Sequence, residues 1–350
     1  MILCPARLEP IFSPRPWGAR SLAPFFLEKS NLTEPLGEAW MTGSECRFAN
    51  GPFAGKMLGE AWREMPPEWA GTRADRSSAF PLLVKFIFPE EKLSVQVHPD
   101  DDYAARHEQA AGGRGKTEMW YALRARPGAE VLVGLKPEVT RDSFARAIAD
   151  GTAEECLEHV PLRSGDAVFV PAGTAHTIGP GLVLCEIQEH SDLTYRVYDY
   201  NRLDAKGQPR ALHVEKALEV MRFGKQYGGR IEPVRIQEAG ADKTYFASCR
   251  YFETARWEFT EPVPATTSHG SCELLIFLEG SGTLRWKSEC AAYGPAQVWM
   301  IPAALGPYEI APVDRTSLLR TYVPREPGEF GPALSAKGVK EADWSRLVHK

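Results

Sequence analysis

The amino-acid sequence predicts a mainly β protein made of two β-barrel domains with a small helical insertion. Short apolar or alternating segments recur along the 350 residues, and 28 prolines and 30 glycines are scattered between them. Frequent short strands separated by turn residues are typical of a β-sandwich or barrel. Helical periodicity is confined to a few stretches, and a weak internal repeat relates the two halves of the chain.

The first half contains several recognisable strands. In LSVQVHPDD, Val95 and Val97 alternate with Ser94, Gln96 and His98, so one face of the segment is apolar and the other is polar. That polar face meets either solvent or a bound group. We predict strands at 81–88, 93–98, 118–123, 131–135, 167–171, 182–188 and 193–198.

Helix signals are few and local. Asp100 and Asp101 are suited to start a helix that runs to residue 111, and Gly151 is suited to end one that begins near residue 140. Thr152 and Glu155 have capping-box spacing before residues 156–160. We therefore expect a helical insertion at about 100–112 and 138–160, and a trailing helix at 213–223.

Composition bounds the partners and the compartment. Lys and Arg number 41 against 46 Asp and Glu, a net charge of -5, and no basic run suggests nucleic acid or an anionic membrane as a partner. We expect neither a signal peptide nor a transmembrane segment. The seven cysteines are widely spread without a CxxC pair, which favours a reducing, cytoplasmic location over a disulfide framework.

The segment from Gly165 to His176 has the pattern G-x5-P-x-G-x2-H, which is the second signature motif of cupin barrels. Pro171 and Gly173 suit a tight turn between strands, after which His176 would point into the barrel. The simpler alternative is a strand, a turn and a hydrogen-bonded structural histidine. We predict two cupin (jelly-roll β-barrel) domains.

The same Gly–strand–Pro pattern returns in the second half without its histidine. The segment 294–302 resembles 165–171, but the fifth position after Pro302 is Pro307, where the first copy has His176. We therefore divide the chain into a catalytic domain (1–225), a polar linker (226–240) and a degenerate C-terminal cupin domain without metal ligands (241–350).

Four residues form a candidate metal-ligand set. Cupins usually supply further metal ligands from an earlier H-x-H motif followed by Glu, and the corresponding residues here are Gln96, His98 and Glu118, in addition to His176. Gln96 and His98 share one face of a strand, because side chains two apart point the same way. Zinc, iron, manganese or nickel could bind to such a mixed nitrogen and oxygen set. Borderline ligands of this kind favour zinc among them. The lack of thiolates argues against a structural zinc.

Charged residues near these ligands suggest a reactive pocket. Lys116 should share the inward face of Glu118, Lys85 interrupts an apolar run, and Glu186 and Arg196 lie on the strands after His176. The alternative is a set of structural salt bridges across the barrel.

Several segments, in order, resemble the type I mannose-6-phosphate isomerase (phosphomannose isomerase) family in its shorter bacterial form. The resemblance runs from near the start to about Phe223 and continues more weakly through the second barrel. It rests on LEPIFSPRPWG, GEAW, the region around LSVQVHPDD, GKTEMWYAL, the stretch 168–202 and PRALHVEKALEV. The loop 178–181 and a shorter helical insertion depart from longer members, which affects pocket contacts more than the metal site.

The resemblance implies a metal-dependent aldose–ketose isomerase that interconverts mannose 6-phosphate and fructose 6-phosphate through a cis-enediol. It implies one Zn²⁺ per chain with the ligands Gln96, His98, Glu118 and His176. Arg196, Glu186 and Lys116 become candidate catalytic residues, and Ser94, Lys85, Lys116 and Arg196 candidate substrate-binding residues. Either Glu186 or a group beside the metal would move the proton. We expect the protein to be a monomer or a homodimer.

Two other functions compete with this one. A dioxygenase-like cupin would use iron at an open site, and a non-catalytic sugar-phosphate-binding cupin would keep the barrel without turnover. The presence of all four candidate ligands together with Lys116 and Arg196 argues against loss of catalysis.

Overall fold

A computed structural model describes residues 1–203, 207–224, 228–268 and 270–349, and these form a mainly β fold as the sequence predicts. The chain divides into two compact units. The first unit comprises Phe12–Ala39 and Lys85–Arg230, and the second comprises Met1–Ile11, Trp40–Val84 and Ile231–Lys350. No helix among the described residues is long and apolar enough to cross a membrane.

Two sheets build the first unit. Their strands are β2 (Ile11–Ala19), β3 (Leu36–Trp40), β5 (Leu82–Ile87), β6 (Val95–Val97), β7 (Glu118–Ala125), β8 (Glu130–Leu135), β9 (Leu157–Pro161), β10 (Ala167–Val170), β11 (His176–Ile178), β12 (Leu182–Glu189), β13 (Tyr195–Tyr198) and β14 (Gly229–Arg230). One sheet has the strand order β14-β10-β7-β12-β5-β3-β2, and the other has the order β13-β6-β11-β8-β9.

Short helices join these strands. They are α3 (Asp101–His107), α4 (Arg141–Asp150) and α5 (Val214–Val220), with 3-10 turns at Leu27–Lys29, Gln109–Ala111 and Ala153–Cys156. Asp100 caps α3 by accepting from the backbone N–H of Tyr103, and Thr140 and Ser143 form a capping box on α4.

The apolar face predicted for the segment LSVQVHPDD, which contains β6, is fully buried. Val95 and Val97 are 0% exposed and belong to a hydrophobic cluster with Leu132, Phe144 and Tyr195. Burying each such side chain contributes roughly 1.5–3 kcal/mol, which determines the face of β6 that packs against this cluster. The polar residues of the strand must then face the opposite side.

The second unit contains β1 (Ala6–Glu9), β4 (Arg47–Phe48), α1 (Leu58–Glu64), α2 (Pro67–Ala70), β15 (Val234–Glu238), β16 (Ala241–Ser248), β17 (Glu253–Phe259), β18 (Val263–Thr266), β19 (Glu273–Glu279), β20 (Gly282–Trp286), β21 (Glu289–Tyr293), β22 (Val298–Ile301), β23 (Pro307–Pro312), β24 (Thr316–Tyr322), α6 (Gly331–Ala336), α7 (Glu341–Trp344) and a 3-10 turn at Ser345–Leu347. Its sheets have the orders β15-β16-β17-β24-β19-β22-β1-β4 and β18-β23-β20-β21.

The observed division differs from the continuous domains 1–225 and 241–350. Strand β1 pairs antiparallel with β22, with Ala6 opposite Met300, so the start of the chain belongs to the second unit. Within the expected linker 226–240, Val234–Glu238 forms a strand that pairs with β16. Residues 225–227 lie outside the described part of the chain. Strand pairing between distant segments is a tertiary choice that local patterns do not encode.

The helix expected at 156–160 is wrong. Leu157–Pro161 is strand β9, paired antiparallel with β8, and only a 3-10 turn forms at Ala153–Cys156. Thr152 makes no side-chain capping bond there. Leu157 is buried and the next four residues alternate between partly exposed and exposed, as expected of an edge strand, so pairing with β8 and burial of Leu157 outweigh the capping-box spacing.

Candidate metal centre and reaction pocket

Three of the predicted site residues lie side by side across one sheet of the first unit. Gln96 on β6 has two direct Cα partners, His176 on β11 and Arg196 on β13. Directly opposite residues in an antiparallel pair share a face, so these three side chains point the same way. The polar face of β6 therefore forms part of a row of functional groups.

The facing sheet supplies a second set of polar groups. On β7 and β12, Glu118 lies opposite Gln188 and Trp120 lies opposite Glu186. Glu118 is 0% exposed and Glu186 is 4% exposed. Side chains of alternate residues on a strand share a face, so both pairs point to one side of the sheet.

His98, Glu118 and His176 are buried, with one candidate ligand atom from each lying within 4.8 Å of the others. Oε1 of Glu118 lies 3.4 Å from Nε2 of His176 and 3.8 Å from Nε2 of His98. Ligand atoms about 2.1 Å from a tetrahedral metal lie roughly 3.4 Å apart, so these separations suit a shared metal ion. Oε1 of Glu118 is also a buried acceptor without a hydrogen-bond donor among the described residues.

Both histidines are oriented by backbone carbonyls. Nδ1 of His98 lies 2.8 Å from the carbonyl oxygen of Leu193, and Nδ1 of His176 lies 2.9 Å from that of Thr174. Since a carbonyl only accepts, each ring carries its proton on Nδ1 and presents Nε2 as a lone pair. Burial lowers the pKa of His176 to about 4, and burial with the nearby Lys116 cation lowers that of His98. Neutral rings of this kind can bind a metal.

Gln96 completes the predicted ligand set. Its Nε2 lies 3.2 Å from Nε2 of His176, so the amide group reaches the same point as the histidine lone pair. One end of the amide group is an acceptor oxygen and the other is a donor NH₂ group. A 180° rotation of the amide brings its oxygen to this position. Gln96 can therefore supply an oxygen ligand beside His176. The four residues fit a metal ion.

A buried chain of alternating charges extends from this group. Lys116 forms an ion pair with Glu118 and lies 3.5 Å from Oε1 of Glu186, with its Nζ 3.3 Å from Nε2 of His98. Burial by itself would lower the pKa of Lys116, but the carboxylates of Glu118 and Glu186 outweigh it and raise the pKa. Lys116 is therefore a cation between the candidate ligands and Glu186.

Lys85 and Asp192 continue this chain. Lys85 is 3% exposed, and its Nζ lies 2.8 Å from Oδ1 of Asp192 and 4.0 Å from Oε1 of Glu186. Burial would lower the pKa of Lys85, but the surrounding carboxylates raise it. Lysine in the apolar run PLLVKFIF thus has the partners that burial requires.

Glu186 is the carboxyl group with the most suitable pKa for proton transfer. Burial raises its pKa to about 7, although Lys116 acts in the opposite direction. The indole N–H of Trp120 donates to Oε2 of Glu186 at 3.0 Å. A group with a pKa near neutrality can both take and return a proton at physiological pH.

Arginines and polar groups line the pocket next to this cluster, which has a volume of about 440 Å³, large enough for a small metabolite. The lining includes Lys85, Ser94, Gln96, Lys116, Glu186 and Arg196, and also Arg15, Asp192, Arg210 and His213. Arg196 donates through Nε to Oγ of Ser94 at 3.2 Å and through Nη1 to the carbonyl of Ala211 at 3.1 Å. Burial and the neighbouring Arg210 lower its pKa, which marks a surplus of positive charge.

The structure brings all the predicted site residues together, and their roles remain predictions. Sequence reasoning missed Trp120, Asp192, Arg15, Arg210 and His213. Trp120 could have been found from its spacing of two from Glu118 on one strand, and Asp192 from its place in the segment SDLTYR that singled out Arg196. Arg15, Arg210 and His213 come from distant segments that carried no metal or acid–base signal.

Comparison with known proteins identifies a family model and relatives that resemble this chain. A family model described as phosphomannose isomerase type I, catalytic domain, matches residues 6–125. The Bacillus subtilis protein named "Probable mannose-6-phosphate isomerase GmuF" is 34% identical over 314 residues, covering 87% of this chain and 96% of that protein. "Mannose-6-phosphate isomerase ManA" of the same organism is 33% identical over 312 residues, covering 87% and 95%.

The fold agrees as well. A crystal structure of the mannose 6-phosphate isomerase from Bacillus subtilis matches with a TM-score of 0.82 at 31% identity, covering 91% of this chain and 99% of that one. This match confirms the predicted cupin fold class. The chain therefore belongs to the type I phosphomannose isomerase family.

Proposed function

We propose that this protein interconverts mannose 6-phosphate and fructose 6-phosphate, with one Zn²⁺ per chain. The observation that carries the proposal is the buried group of His98, Glu118 and His176 beside a pocket that holds a carboxyl group of near-neutral pKa and several cations. The names of the relatives, which are mannose-6-phosphate isomerases, support the same substrate.

The proposed metal ligands are Gln96, His98, Glu118 and His176. Two neutral imidazoles, a carboxylate and an amide oxygen form the nitrogen and oxygen set that suits zinc in a catalytic site. When bound, the ion would act as a Lewis acid that holds negative charge on the sugar oxygens. The carbonyls of Leu193 and Thr174 orient the histidine ligands for this purpose.

Glu186 is the proposed base. As a carboxylate it takes the proton from C2 of the aldose and returns it to C1 of the enediol, while the hydroxyl proton moves from O2 to O1. The Trp120 indole fixes one carboxylate oxygen, which leaves Oε1 toward Lys116. Lys116 then stabilises the negative charge that develops as the proton leaves carbon.

Arg196 is the proposed anchor for the phosphate group. Its side chain donates to a hydroxyl and a carbonyl, and no carboxylate among the described residues lies within ion-pair distance of it. By contrast, Arg15 pairs with Glu38 and Arg210 pairs with Asp199. A guanidinium held in place but not neutralised is suited to a phosphate dianion.

We place the enzyme in the cytoplasm as a monomer or homodimer. All seven cysteines are free thiols, as expected in a reducing compartment.

The experiment combines metal analysis with an isomerase assay. We expect the purified protein to contain about one zinc per chain and to convert mannose 6-phosphate to fructose 6-phosphate, with loss of activity on chelation and recovery with zinc. Glu186→Gln should lower kcat by roughly 100-fold or more, because general base catalysis contributes that much. Bound iron with no isomerase activity would instead favour a dioxygenase-like cupin. Isomerase activity that is unchanged by a chelator would refute the metal dependence.

A further inference from the structure

His213 occupies an unusual position for a histidine. It is the N-cap residue of α5, where Ser, Thr, Asp and Asn are preferred because their side chains bond the first helical N–H groups. The His213 side chain makes no such capping bond. A residue that leaves a local requirement unmet is commonly engaged in something else.

The ring of His213 is bound to Arg196. Its Nδ1 lies 3.3 Å from the backbone nitrogen of Arg196, and its own backbone N–H donates to the Arg196 carbonyl at 2.7 Å. His213 therefore hydrogen-bonds both the backbone N–H and the backbone carbonyl of Arg196. Because a backbone N–H only donates, Nδ1 of His213 must be the acceptor.

This bond determines which nitrogen carries the proton. A neutral imidazole has one donor and one acceptor, so an accepting Nδ1 leaves the proton on Nε2. Burial and the nearby cations Arg196 and Lys216 lower the pKa of His213, which keeps the ring neutral. Within the described residues, Nε2 has no hydrogen-bond partner.

His213 also lines the reaction pocket, together with Ser94, Arg196 and Arg210. Across the sheet the order is His176, Gln96, Arg196, with His213 bonded to the far side of Arg196. Neighbouring strands are about 4.8 Å apart, so His213 lies well away from the ligand His176. The sugar carbons that react must be near the ligands, which places the phosphate toward His213.

We propose that His213 is a substrate-binding residue that donates its Nε2–H to a phosphate oxygen of the sugar phosphate, next to Arg196. This inference rests on the proposed function, since it assigns the phosphate end of the same pocket. The accepting Nδ1 gives the ring a fixed tautomer, so the donor is ready before substrate arrives.

The surroundings of α5 make this inference testable without unfolding the helix. Glu108 accepts from Tyr195 at 2.7 Å and from Lys216 at 2.6 Å, and Tyr103 donates to Glu219 at 2.6 Å. These bonds hold α5 independently of residue 213.

The test compares two variants that each keep one side of the ring. In His213→Asn the amide can accept near the former Nδ1, but nothing replaces Nε2. In His213→Gln the amide can donate near the former Nε2. We expect KM for mannose 6-phosphate to rise roughly 10-fold in His213→Asn, as for a lost hydrogen bond to a charged group, and much less in His213→Gln. The exposed Glu215→Gln on the same helix is the control and should match wild type.

A second measurement does not depend on turnover. Nitrogen-15 NMR of the histidine rings should show His213 as the Nε2–H tautomer, and inorganic phosphate should bind more weakly to His213→Asn than to wild type. Wild-type KM and phosphate affinity in His213→Asn, or an Nδ1–H tautomer, would overturn the inference. If wild-type protein fails to isomerise mannose 6-phosphate, the proposed function is wrong, but the phosphate titration still tests His213.

Discussion

The indole N–H of Trp120 donates to Oε2 of Glu186 at 3.0 Å, and the indole ring meets the imidazole of His176 edge-on at 5.3 Å. One fully buried side chain therefore contacts both the proposed base and a proposed metal ligand. The contact arises because Trp120 lies directly opposite Glu186 on adjacent strands. The rigid ring of Trp120 thus lies between the proposed base Glu186 and the proposed metal ligand His176, and contacts both.

Trp120→Phe should shift the pH dependence of the reaction. Burial raises the pKa of Glu186 to about 7, so its carboxylate form, and with it kcat/KM, should increase as pH rises through this value. A donor to the carboxylate favours the ionised form, so removing the indole N–H should raise this pKa further and move the acidic limb of the profile to higher pH. The measurement is kcat/KM from pH 5 to 9 for both proteins. An unshifted profile would contradict the assignment of Glu186 as the base.

Metal removal should lower thermal stability as well as activity. A ligand that binds only the folded state stabilises it by about 2.7 kcal/mol when present at 100 times its Kd. We expect chelation to lower the Tm of the wild-type protein, and zinc to restore it. In His98→Ala the Tm should hardly respond to either treatment. The matched control is His159→Ala, because His159 is an exposed histidine paired with Glu130. Equal metal responses in both variants would exclude His98 from the ligand set.

Arg196→Lys should not rescue Arg196→Ala. The guanidinium bonds Ser94 and Ala211 through two nitrogens and still has donors left, whereas one ammonium group cannot match this geometry. We expect both variants to lose about 10- to 100-fold in kcat/KM for mannose 6-phosphate, the range for a hydrogen bond to a charged group. Arg126→Ala, which removes an exposed partner of Glu90, should stay near wild type. Full activity in Arg196→Lys would show that only the charge matters.

Arg320→Ala should destabilise the second unit strongly. Its guanidinium donates to both carboxylate oxygens of Glu273, at 2.7 and 2.5 Å, and Glu273 is only 1% exposed. Removing one partner of such a pair leaves a buried charge uncompensated and costs about 3–5 kcal/mol. Arg285→Ala, in an exposed pair with Glu309, should cost less than about 1 kcal/mol. Denaturant unfolding of both variants measures the difference, and equal losses would contradict it.

The sequence was most informative where the residues of a short segment determine its local backbone structure. The alternation around Val95 predicted the buried face of β6 and placed Gln96 and His98 near one site. The pattern from Gly165 to His176 predicted the turn that brings His176 beside them. The same reasoning was wrong at 156–160, where capping-box spacing suggested a helix and pairing with β8 produced a strand.

The sequence by itself determined the mainly β fold, because strand periodicity and turn residues act within a few positions, and its resemblance to a known family indicated the family and the candidate metal ligands. Only the tertiary structure decided that the first eleven residues join the second unit, that Trp120 meets Glu186, and that His213 bonds Arg196. These relationships depend on the register of strands and on the docking of α5. Register and docking are set by the burial of many distant side chains at once, which no local pattern contains.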